Sequence, residues 1–311
     1  RPTRPSGFVL RSETFGDKTI IHNFGHGGSG MSLSWGTAHL AMELALKTGA
    51  SQVAVVGAGV VGLSTARLLQ QKGYQVTVYA KDLPPRTTSN MSAAYFGPTG
   101  AYRSAYENVW HRATRLSHRY FQDYLGDEYG VRWVPYYLVS QTPPSPQRGL
   151  GRLIADLYPE TAQLDPSEHP FPTPYVRRRW TLQFEPSVYL NALLRDVRLA
   201  SGPRSVVVRE FTNLDELLML DEPVIMNCTG LGAKPLFGDE ELHPVKGQLT
   251  VLLPQPKVNY GVVGGGLYML PRRDGIILGV TREANDWTLE PSETEMERVM
   301  NGHAEFFDAM T

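Results

Sequence analysis

Three glycines with the spacing G-x-G-x-x-G follow a short apolar run, and they carry the clearest chemistry in this sequence. Gly57, Gly59 and Gly62 come directly after the valine-rich residues 53–56. The first glycine permits a tight turn, the second lets backbone approach a pyrophosphate, and the third lets a helix pack closely on the strand. A helix that begins there offers free N–H groups and a positive dipole end to phosphates. The pattern predicts a dinucleotide-binding turn.

The elements beside these glycines supply the context that such a turn requires. Residues 53–56 have the pattern of a buried strand, 63–71 that of a helix, and 75–79 that of a second strand. A strand, turn, helix and strand within about 30 residues favours a dinucleotide site over an ordinary tight turn without a ligand.

A second glycine-rich segment precedes the first. It spans residues 23–31 and reads Asn-Phe-Gly-His-Gly-Gly-Ser-Gly-Met. His22 and His26 in this region are interpreted as hydrogen-bonded structural residues rather than as bases.

Length, charge and cysteine content exclude several classes of protein. With 311 residues, a net charge of −1 and a pI near 6.8, the chain has no basic field for nucleic acid or an anionic membrane. No apolar stretch approaches the ~20 residues of a membrane span. The single cysteine, Cys228, is expected to be buried, and it excludes an internal disulfide and a multi-cysteine metal site. The histidines lack ligand spacing, so no metal is expected.

Composition predicts a soluble protein but identifies no compartment. The chain begins at Arg1 rather than Met, so the removal of an upstream signal stays open beside a cytoplasmic location. A homodimer is also left open. The arginine run at 177–179 is interpreted as the solvated edge of a strand.

The remaining elements alternate between strand and helix patterns, which is typical of an α/β protein. Residues 130–190 are interpreted as strands and loops of a substrate-side region, and the glycine-rich residues 261–266 as a loop. Strands are predicted at 7–11, 18–22, 205–208, 224–230, 249–253, 267–270 and 275–279, and helices at 34–48, 102–124, 189–199 and from 292 to about 310, the last with a capping box of Ser292 and Glu295.

Four blocks of the sequence resemble the D-amino acid oxidases, a family of FAD flavoproteins. The blocks are residues 21–36, 55–64, 81–90 and 227–230. The resemblance implies an α/β fold with a Rossmann-type FAD-binding domain and a mixed-sheet substrate domain. The residues that it assigns to FAD are Gly27, Gly28, Gly30, Met31, Ser32, Gly57, Gly59, Val60, Val61, Gly62, Lys81, Asp82, Thr87, Thr88, Ser89, Ala93, Ala94, Val208, Thr229 and Gly230.

The order of these blocks differs from that of the family. The segment at 21–36 and the preceding residues 1–5 match regions near the C-terminus of a typical member, yet here they come before the Rossmann strand. The chain therefore resembles a circular permutant of the fold, which is tolerable where the original termini lie close together at the surface. The domains are expected at 1–100 plus about 200–248 for FAD, and at about 101–199 plus 249–311 for substrate.

The resemblance also implies residues that bind substrate. Arg1 matches an arginine that pairs with the substrate α-carboxylate, and Tyr268 matches a tyrosine that hydrogen-bonds to it. Arg282 matches an arginine that D-aspartate oxidases use for the side-chain carboxylate, unless it forms a surface ion pair. Two departures affect this region: Gly264 stands in place of a second active-site tyrosine, and Ala94 in place of a glycine.

The activity implied is oxidative deamination of D-amino acids by hydride transfer to flavin N5, giving 2-oxo acids, ammonia and hydrogen peroxide. The partners would be a small-molecule D-amino acid and oxygen. The sequence leaves open a D-aspartate or D-glutamate oxidase that uses Arg282, a glycine/sarcosine-type amine oxidase, and a flavin-binding protein without turnover. A nicotinamide dehydrogenase would leave the second glycine-rich segment unexplained.

Overall fold

Strands and helices share the framework in the computed structural model, which describes residues 1–143 and 150–310. The strands are β1 (Pro2–Thr3), β2 (Val9–Phe15), β3 (Lys18–Phe24), β4 (Gln52–Val56), β5 (Gln75–Ala80), β6 (Val131–Ser140), β7 (Ala162–Leu164), β8 (Tyr175–Phe184), β9 (Val206–Val208), β10 (Val224–Asn227), β11 (His243–Lys246), β12 (Thr250–Leu252), β13 (Gly261–Gly264), β14 (Leu267–Arg272), β15 (Gly275–Gly279) and β16 (Glu283–Ala284).

Helices connect these strands and cover their faces. They are α1 (Gly30–Leu46), α2 (Val60–Gln71), α3 (Glu107–Gln122), α4 (Leu150–Leu153), α5 (Pro186–Ser201), α6 (Leu214–Leu218), α7 (Ala233–Phe237) and α8 (Glu293–Asp308). Short 3-10 helices lie at Thr88–Met91, Pro98–Ala101, Ser104–Tyr106, Ala155–Leu157, Pro166–Glu168, Pro203–Ser205 and Gly230–Gly232. Within residues 1–143 and 150–310, no helix is both long and apolar enough to cross a bilayer.

The first compact unit, unit 1, comprises residues 1–92, 97–130 and 186–245. Its sheet has the order β2-β3-β10-β4-β5-β9, in which β3, β10, β4, β5 and β9 are parallel and β2 is antiparallel to β3. The apolar run of β4 is buried on both faces of the sheet, as expected for a central parallel strand. A separate pairing joins β1 to β11.

Four helices pack together in unit 1. Helix α1 contacts both α2 and α3, and α2 contacts α5. Gly36 permits the close approach of α1 and α3, because a Cβ there would lie closer than 3.0 Å to the backbone of Ala113. The predicted substrate domain included α3 and α5, whereas the structure packs both helices in unit 1.

The second unit, unit 2, comprises residues 93–96, 131–185 and the described residues from 246 onward. Its mixed sheet has the order β12-β15-β14-β13-β6-β8-β7. Helix α8 covers one face, where Val299 joins a buried cluster with Val262, Met269 and Leu278. The opposite face of the sheet carries another buried apolar cluster, which contains Val134, Tyr136, Leu270 and Ile277.

Two sequence predictions in unit 2 are wrong. Residues 261–264 form strand β13 rather than a loop, because β6 and β14 bond to it on both sides. Only Gly265 and Gly266 turn the chain, with φ of +59° and +78°. The arginine run at 177–179 is not a solvated edge, since β8 is flanked by both β6 and β7.

The N-terminus of α8 forms half of the predicted capping box. Ser292 Oγ accepts the amide of Glu295 at 3.3 Å. The reciprocal position is filled differently, because Gln248 Oε1 accepts the Ser292 amide at 2.7 Å while the Glu295 carboxylate binds Arg298. A distant residue thus replaces the glutamate of the box.

Candidate active site

The turn between β4 and α2 leaves no room for side chains. Gly57 has φ of +114° and donates its amide to Tyr79 O at 2.7 Å. A Cβ on Gly57 would lie closer than 3.0 Å to Cys228 O, and a Cβ on Gly62 closer than 3.0 Å to Gly57 O. Backbone atoms set both limits, so glycine is required at both positions by packing alone.

Ser89 lies at the N-terminus of α2. Its Oγ accepts the Val60 amide at 3.0 Å, and a Cβ on Gly59 would approach the same oxygen at 3.1 Å. The hydroxyl of Thr87 donates to Asn90 Oδ1 at 2.7 Å and so fixes the 3-10 turn that carries Thr88 and Ser89. The structure brings the predicted residues 57–62 and 87–89 together at a helix N-terminus, which suits a phosphate.

Other predicted cofactor residues lie at the surface. Lys81 Nζ pairs with Glu210 at 3.0 Å, and both side chains are 61% exposed. Asp82 is exposed, and Val208 is 67% exposed. These positions stay predictions.

The C-terminal end of β10 is fixed by a buried polar network. Asn227 Oδ1 accepts the Thr229 amide at 3.2 Å and its hydroxyl at 2.7 Å, while Asn227 Nδ2 lies 2.9 Å from His22 Nδ1. Sequence reasoning did not assign Asn227, although an asparagine that ends a buried strand was a usable signal. Cys228 is buried as predicted, and burial raises its pKa to about 12, so the thiol stays neutral.

Residues 25–30 of the second glycine-rich segment are called here the glycine loop. Its backbone is left-handed at Gly25, Gly27 and Gly28, with φ of +85°, +59° and +95°. Helix α1 begins at Gly30, four residues before the predicted start. A Cβ on Gly30 would lie within 4.0 Å of the Val60 and Val61 side chains, so the glycine loop adjoins the β4–α2 turn. Beside it, Met31 is buried and Ser32 Oγ accepts the Gly97 amide at 2.9 Å.

His26 anchors the glycine loop in the core of unit 1. Its ring stacks on Phe8 at 5.3 Å, and Nε2 lies 3.1 Å from the Thr37 hydroxyl. Complete burial lowers the pKa of His26 to about 4, because the imidazolium would lose its hydration. His26 is therefore neutral at pH 7 and structural, as predicted.

Strand β1 runs beside the glycine loop. Pro2 O accepts the Gly27 amide at 2.8 Å, and Thr3 forms a bridge with His26. The Arg1 side chain lies against Gly28, where a Cβ would come 3.0 Å from Arg1 Cδ. The Val245 amide donates to Arg1 O at 2.9 Å. The structure thus places a cation next to the predicted flavin loop.

Tyr268 and Arg282 lie in unit 2. The Tyr268 ring covers Gly279, and the Tyr268 carbonyl contacts His303 Nε2 at 3.0 Å. Arg282 is exposed, and the acidic residues near it pair elsewhere: Lys246 Nζ lies 2.8 Å from Asp286 and 3.7 Å from Glu283. The expected alternative of a surface ion pair for Arg282 is therefore wrong for the described residues.

The two departures from the family pattern have different structural consequences. Gly264 cannot carry a side chain, since a Cβ would lie closer than 3.0 Å to Val139 O in the neighbouring strand. Ala94 holds a left-handed conformation with φ of +62°. Its carbonyl accepts the Phe184 amide at 2.8 Å and Gln183 Nε2 at 2.9 Å, and Gln183 Nε2 is also 3.5 Å from Ala93 O.

The residues of unit 1 suit a flavin dinucleotide. The β4–α2 turn offers the N-terminus of α2, where Ser89 Oγ accepts the Val60 amide, and the adjoining glycine loop exposes backbone beside Arg1. Among the described residues, no group of three or more acidic, histidine or cysteine side chains is placed to hold a metal ion.

Comparison with known proteins settles the family. The model of the FAD dependent oxidoreductase family (DAO) matches residues 52–310. The chain belongs to this family. A D-amino-acid oxidase of Streptomyces coelicolor is 31% identical over 264 residues, covering 77% of this chain and 72% of that protein. The human D-aspartate oxidase is 28% identical, covering 81% and 74%.

Solved structures of the FAD dependent oxidoreductase fold agree. Glycine oxidase from Bacillus cereus ATCC 14579 superposes with a TM-score of 0.62 at 13% identity, covering 82% of this chain and 77% of that one. Iminodiacetate oxidase from Chelativorans sp. BNC1 gives 0.61 at 18% identity, covering 83% and 79%. The protein is an FAD-dependent oxidoreductase with the α/β fold of this family.

Proposed function

We propose that this FAD-dependent oxidoreductase deaminates D-amino acids oxidatively, giving 2-oxo acids, ammonia and hydrogen peroxide. The observation that carries the proposal is the Arg1 side chain against Gly28 of the glycine loop. A guanidinium keeps its charge and binds a carboxylate through two parallel hydrogen bonds. The relatives named D-amino-acid oxidase support the same substrate class.

The residues of the chain would act by orienting the substrate and the flavin. The chemistry that bound FAD supplies is hydride acceptance and reaction of the reduced cofactor with oxygen. Arg1 would hold the α-carboxylate, and the carboxylate role of Tyr268 in unit 2 stays a prediction from the family resemblance. Gly28 and Gly30 would present backbone N–H groups to the electron-rich edge of the flavin, while the Gly27 amide, which donates to Pro2 O, would hold the loop in place. His26 stays neutral and moves no proton at pH 7.

The decisive experiment is anaerobic mixing of the purified yellow protein with single amino acids, followed by the flavin absorbance near 450 nm, a general property of oxidised flavins. We expect bleaching by D-alanine and not by L-alanine. Bleaching by glycine or sarcosine alone would favour the amine-oxidase alternative. If no amino acid bleaches the flavin, the result would favour the alternative of a flavin-binding protein without turnover.

Arg1 can be tested by substitution. Arg1→Lys keeps the charge but loses the paired hydrogen bonds, so we expect KM for D-alanine to rise by about 10- to 100-fold. Arg11→Lys is the matched control, because the Arg11 side chain is 63% exposed and pairs with Glu13. An unchanged KM for D-alanine in the Arg1→Lys variant would contradict a role of Arg1 in binding the substrate.

A second candidate function is oxidation of acidic D-amino acids through Arg282. The pairing of Lys246 with Asp286 and Glu283 favours it, because it leaves the exposed Arg282 without an acidic partner among the described residues. Arg282→Leu is expected to lower the ratio of kcat/KM for D-aspartate to that for D-alanine by at least about tenfold. A ratio that does not change would eliminate this role.

We also propose the circularly permuted order. It is supported by the family match, which begins at residue 52 and leaves out the glycine loop, and by the packing of α1 on α2 within one unit. A gene that encodes residues 52–310, a long Gly/Ser linker and residues 1–51 should yield a flavin-containing protein. Insoluble or colourless protein from that gene would count against the permutation.

A further inference from the structure

Residues 1–7, called here the arginine segment, carry Arg1 on a very short strand that leads into a tight turn. Strand β1 contains only two residues, and it pairs with β11 at two positions. The turn follows at once, where the Gly7 amide donates to Arg4 O at 3.1 Å and Gly7 has φ of +96°. A pairing of two residues is too short to hold its own position. The place of Arg1 therefore depends on further contacts of the arginine segment.

Arg103 binds the turn of the arginine segment from outside. Its Nε donates to Pro5 O at 2.7 Å, and its Nη2 donates to Arg4 O at 3.4 Å. Pro5 has no N–H, so this carbonyl is its only main-chain hydrogen-bonding group. A Cβ on Gly7 would lie 3.1 Å from Arg103 Cγ, so the arginine stem also packs against the turn. Arg103 thus holds the turn by hydrogen bonds and by packing.

The same guanidinium binds the main chain of its own segment. Its Nη1 donates to Tyr102 O at 2.6 Å and to Gly100 O at 3.4 Å. The four hydrogen bonds of Arg103 therefore all end on carbonyl oxygens. A charged donor makes stronger hydrogen bonds than a neutral one, and the planar fork of arginine lets one side chain serve two segments at once.

Residues 97–103, called here the support segment, also hold the glycine loop. The Gly97 amide donates to Ser32 Oγ at 2.9 Å, and Ser29 Oγ donates to Gly97 O at 3.3 Å. A Cβ on Gly100 would lie 3.0 Å from the same Ser29 oxygen, so the two segments are in close contact. Both serines are buried, which shields these hydrogen bonds from competing water. The support segment is therefore a fixed reference for the glycine loop.

These contacts form a closed circuit within unit 1. It runs from Arg103 to the arginine segment, from Pro2 O to the Gly27 amide at 2.8 Å, and from the glycine loop back to the support segment. Arg4 anchors the same turn to Asp239 at 2.9 Å, a residue that lies outside the circuit. Without Arg103, the arginine segment would stay attached through Arg4 and β1 but could shift against the glycine loop.

We propose that Arg103 is a positioning residue for the α-carboxylate site, which fixes the Arg1 side chain over Gly28. This role rests on the proposed function, which assigns the α-carboxylate to Arg1. Arg103 acts through the main chain of residues 4 and 5 rather than by touching the substrate. A displacement of about 1 Å is enough to spoil the paired hydrogen bonds of a guanidinium with a carboxylate.

The test is the binding of butyrate, an unreactive monocarboxylate, to the holoenzyme by titration calorimetry. We expect Arg103→Gln to weaken butyrate binding by about 5- to 20-fold, and Arg103→Lys, which keeps the charge but not the fork, to weaken it less. Arg112→Gln is the matched control, because the Arg112 side chain is 55% exposed and pairs with Glu43 outside the circuit. The affinity of this control should stay within about twofold of that of the wild-type protein.

Two further measurements separate positioning from a general loss of structure. In an Arg1→Gln background, Arg103→Gln should weaken butyrate binding by less than about twofold, because the group that it positions is already gone. Hydrogen exchange at residues 23–31 of the holoenzyme should be faster in Arg103→Gln, since the Gly27 amide loses a fixed acceptor, and unchanged in Arg112→Gln.

The positioning role would be overturned by absent butyrate binding in the wild-type protein, by an unchanged affinity in Arg103→Gln, or by losses that add in the double variant. Turnover is read separately by anaerobic flavin reduction with D-alanine. If D-alanine leaves the flavin oxidised while butyrate binding still depends on Arg1 and Arg103, the proposed function is refuted and the positioning role stands.

Discussion

The β4–α2 turn and the glycine loop are both rich in glycine, but different atoms surround the missing Cβ positions. In the turn, the neighbours of Gly57 and Gly62 are backbone carbonyls that cannot move without displacing a strand or helix. In the loop, the neighbours of Gly25 and Gly28 are the flexible side chains of Arg4 and Arg1, and the restriction comes from φ. Packing thus fixes the turn, with φ of +114° a second constraint at Gly57, whereas backbone conformation alone restricts the loop.

The sharpest test of this difference is Gly62→Ala. The added methyl meets Gly57 O closer than 3.0 Å, so α2 must shift away from β4. We expect a loss of more than about 3 kcal/mol in the free energy of unfolding, together with loss of bound flavin. Denaturant titration and flavin content measure both.

Gly73→Ala is the control for that change. Gly73 has φ of +88° and open space around its Cβ position, so it carries conformational strain without a clash. It should cost only about 1 kcal/mol. Equal losses in the two variants would show that packing does not set the turn apart.

His26 tests how the glycine loop is held. Its folded pKa of about 4 lies below the ordinary value of 6.5, so the unfolded chain takes up the proton first as the pH falls. The stabilisation is complete above pH 6.5 and is lost toward pH 4, by about 3 kcal/mol. His26→Asn should remove this part of the pH dependence of unfolding, whereas His39→Asn, at a partly exposed ring, should remove less.

Gly28→Ala tests the loop at the backbone. The conformational cost of φ near +95° is about 1–2 kcal/mol, and the neighbouring Arg1 Cδ can move aside. We expect modest destabilisation in a urea titration and a higher KM for D-alanine, because Arg1 is displaced. A loss of stability as large as that of Gly62→Ala would place the two segments under the same constraint.

Ala94 extends the comparison to a left-handed position without glycine. Ala94→Gly relieves strain at φ of +62° but adds freedom to the unfolded chain, so a net gain of about 0.5 kcal/mol is expected. Ala93→Gly, the neighbouring control, should destabilise the protein. Thermal unfolding of the two variants measures both effects. Destabilisation of both variants would contradict the strain that we assign to Ala94.

Sequence reasoning found the β4–α2 turn because packing imposes a strict glycine spacing there. It misjudged β13, whose glycines conceal a strand that bonds on both sides, and the arginines of β8, since the position of β7 beside them depends on tertiary pairing. The partners of α3 and α5 were also hidden, because an apolar helix face does not reveal which helix it meets. Asn227 and Ser89 acquire their contacts only through the fold.

The insertion of β10 between β3 and β4 has a consequence for biosynthesis. The segment from β3 to β5 is contiguous, yet the inner edges of β3 and β4 keep unpaired N–H and C=O groups until residues 224–227 leave the ribosome. The nascent chain therefore carries unpaired strand edges while the residues between β4 and β10 are being translated. Pairing those edges with β10 is a high-contact-order step, which we expect to limit the folding rate of unit 1.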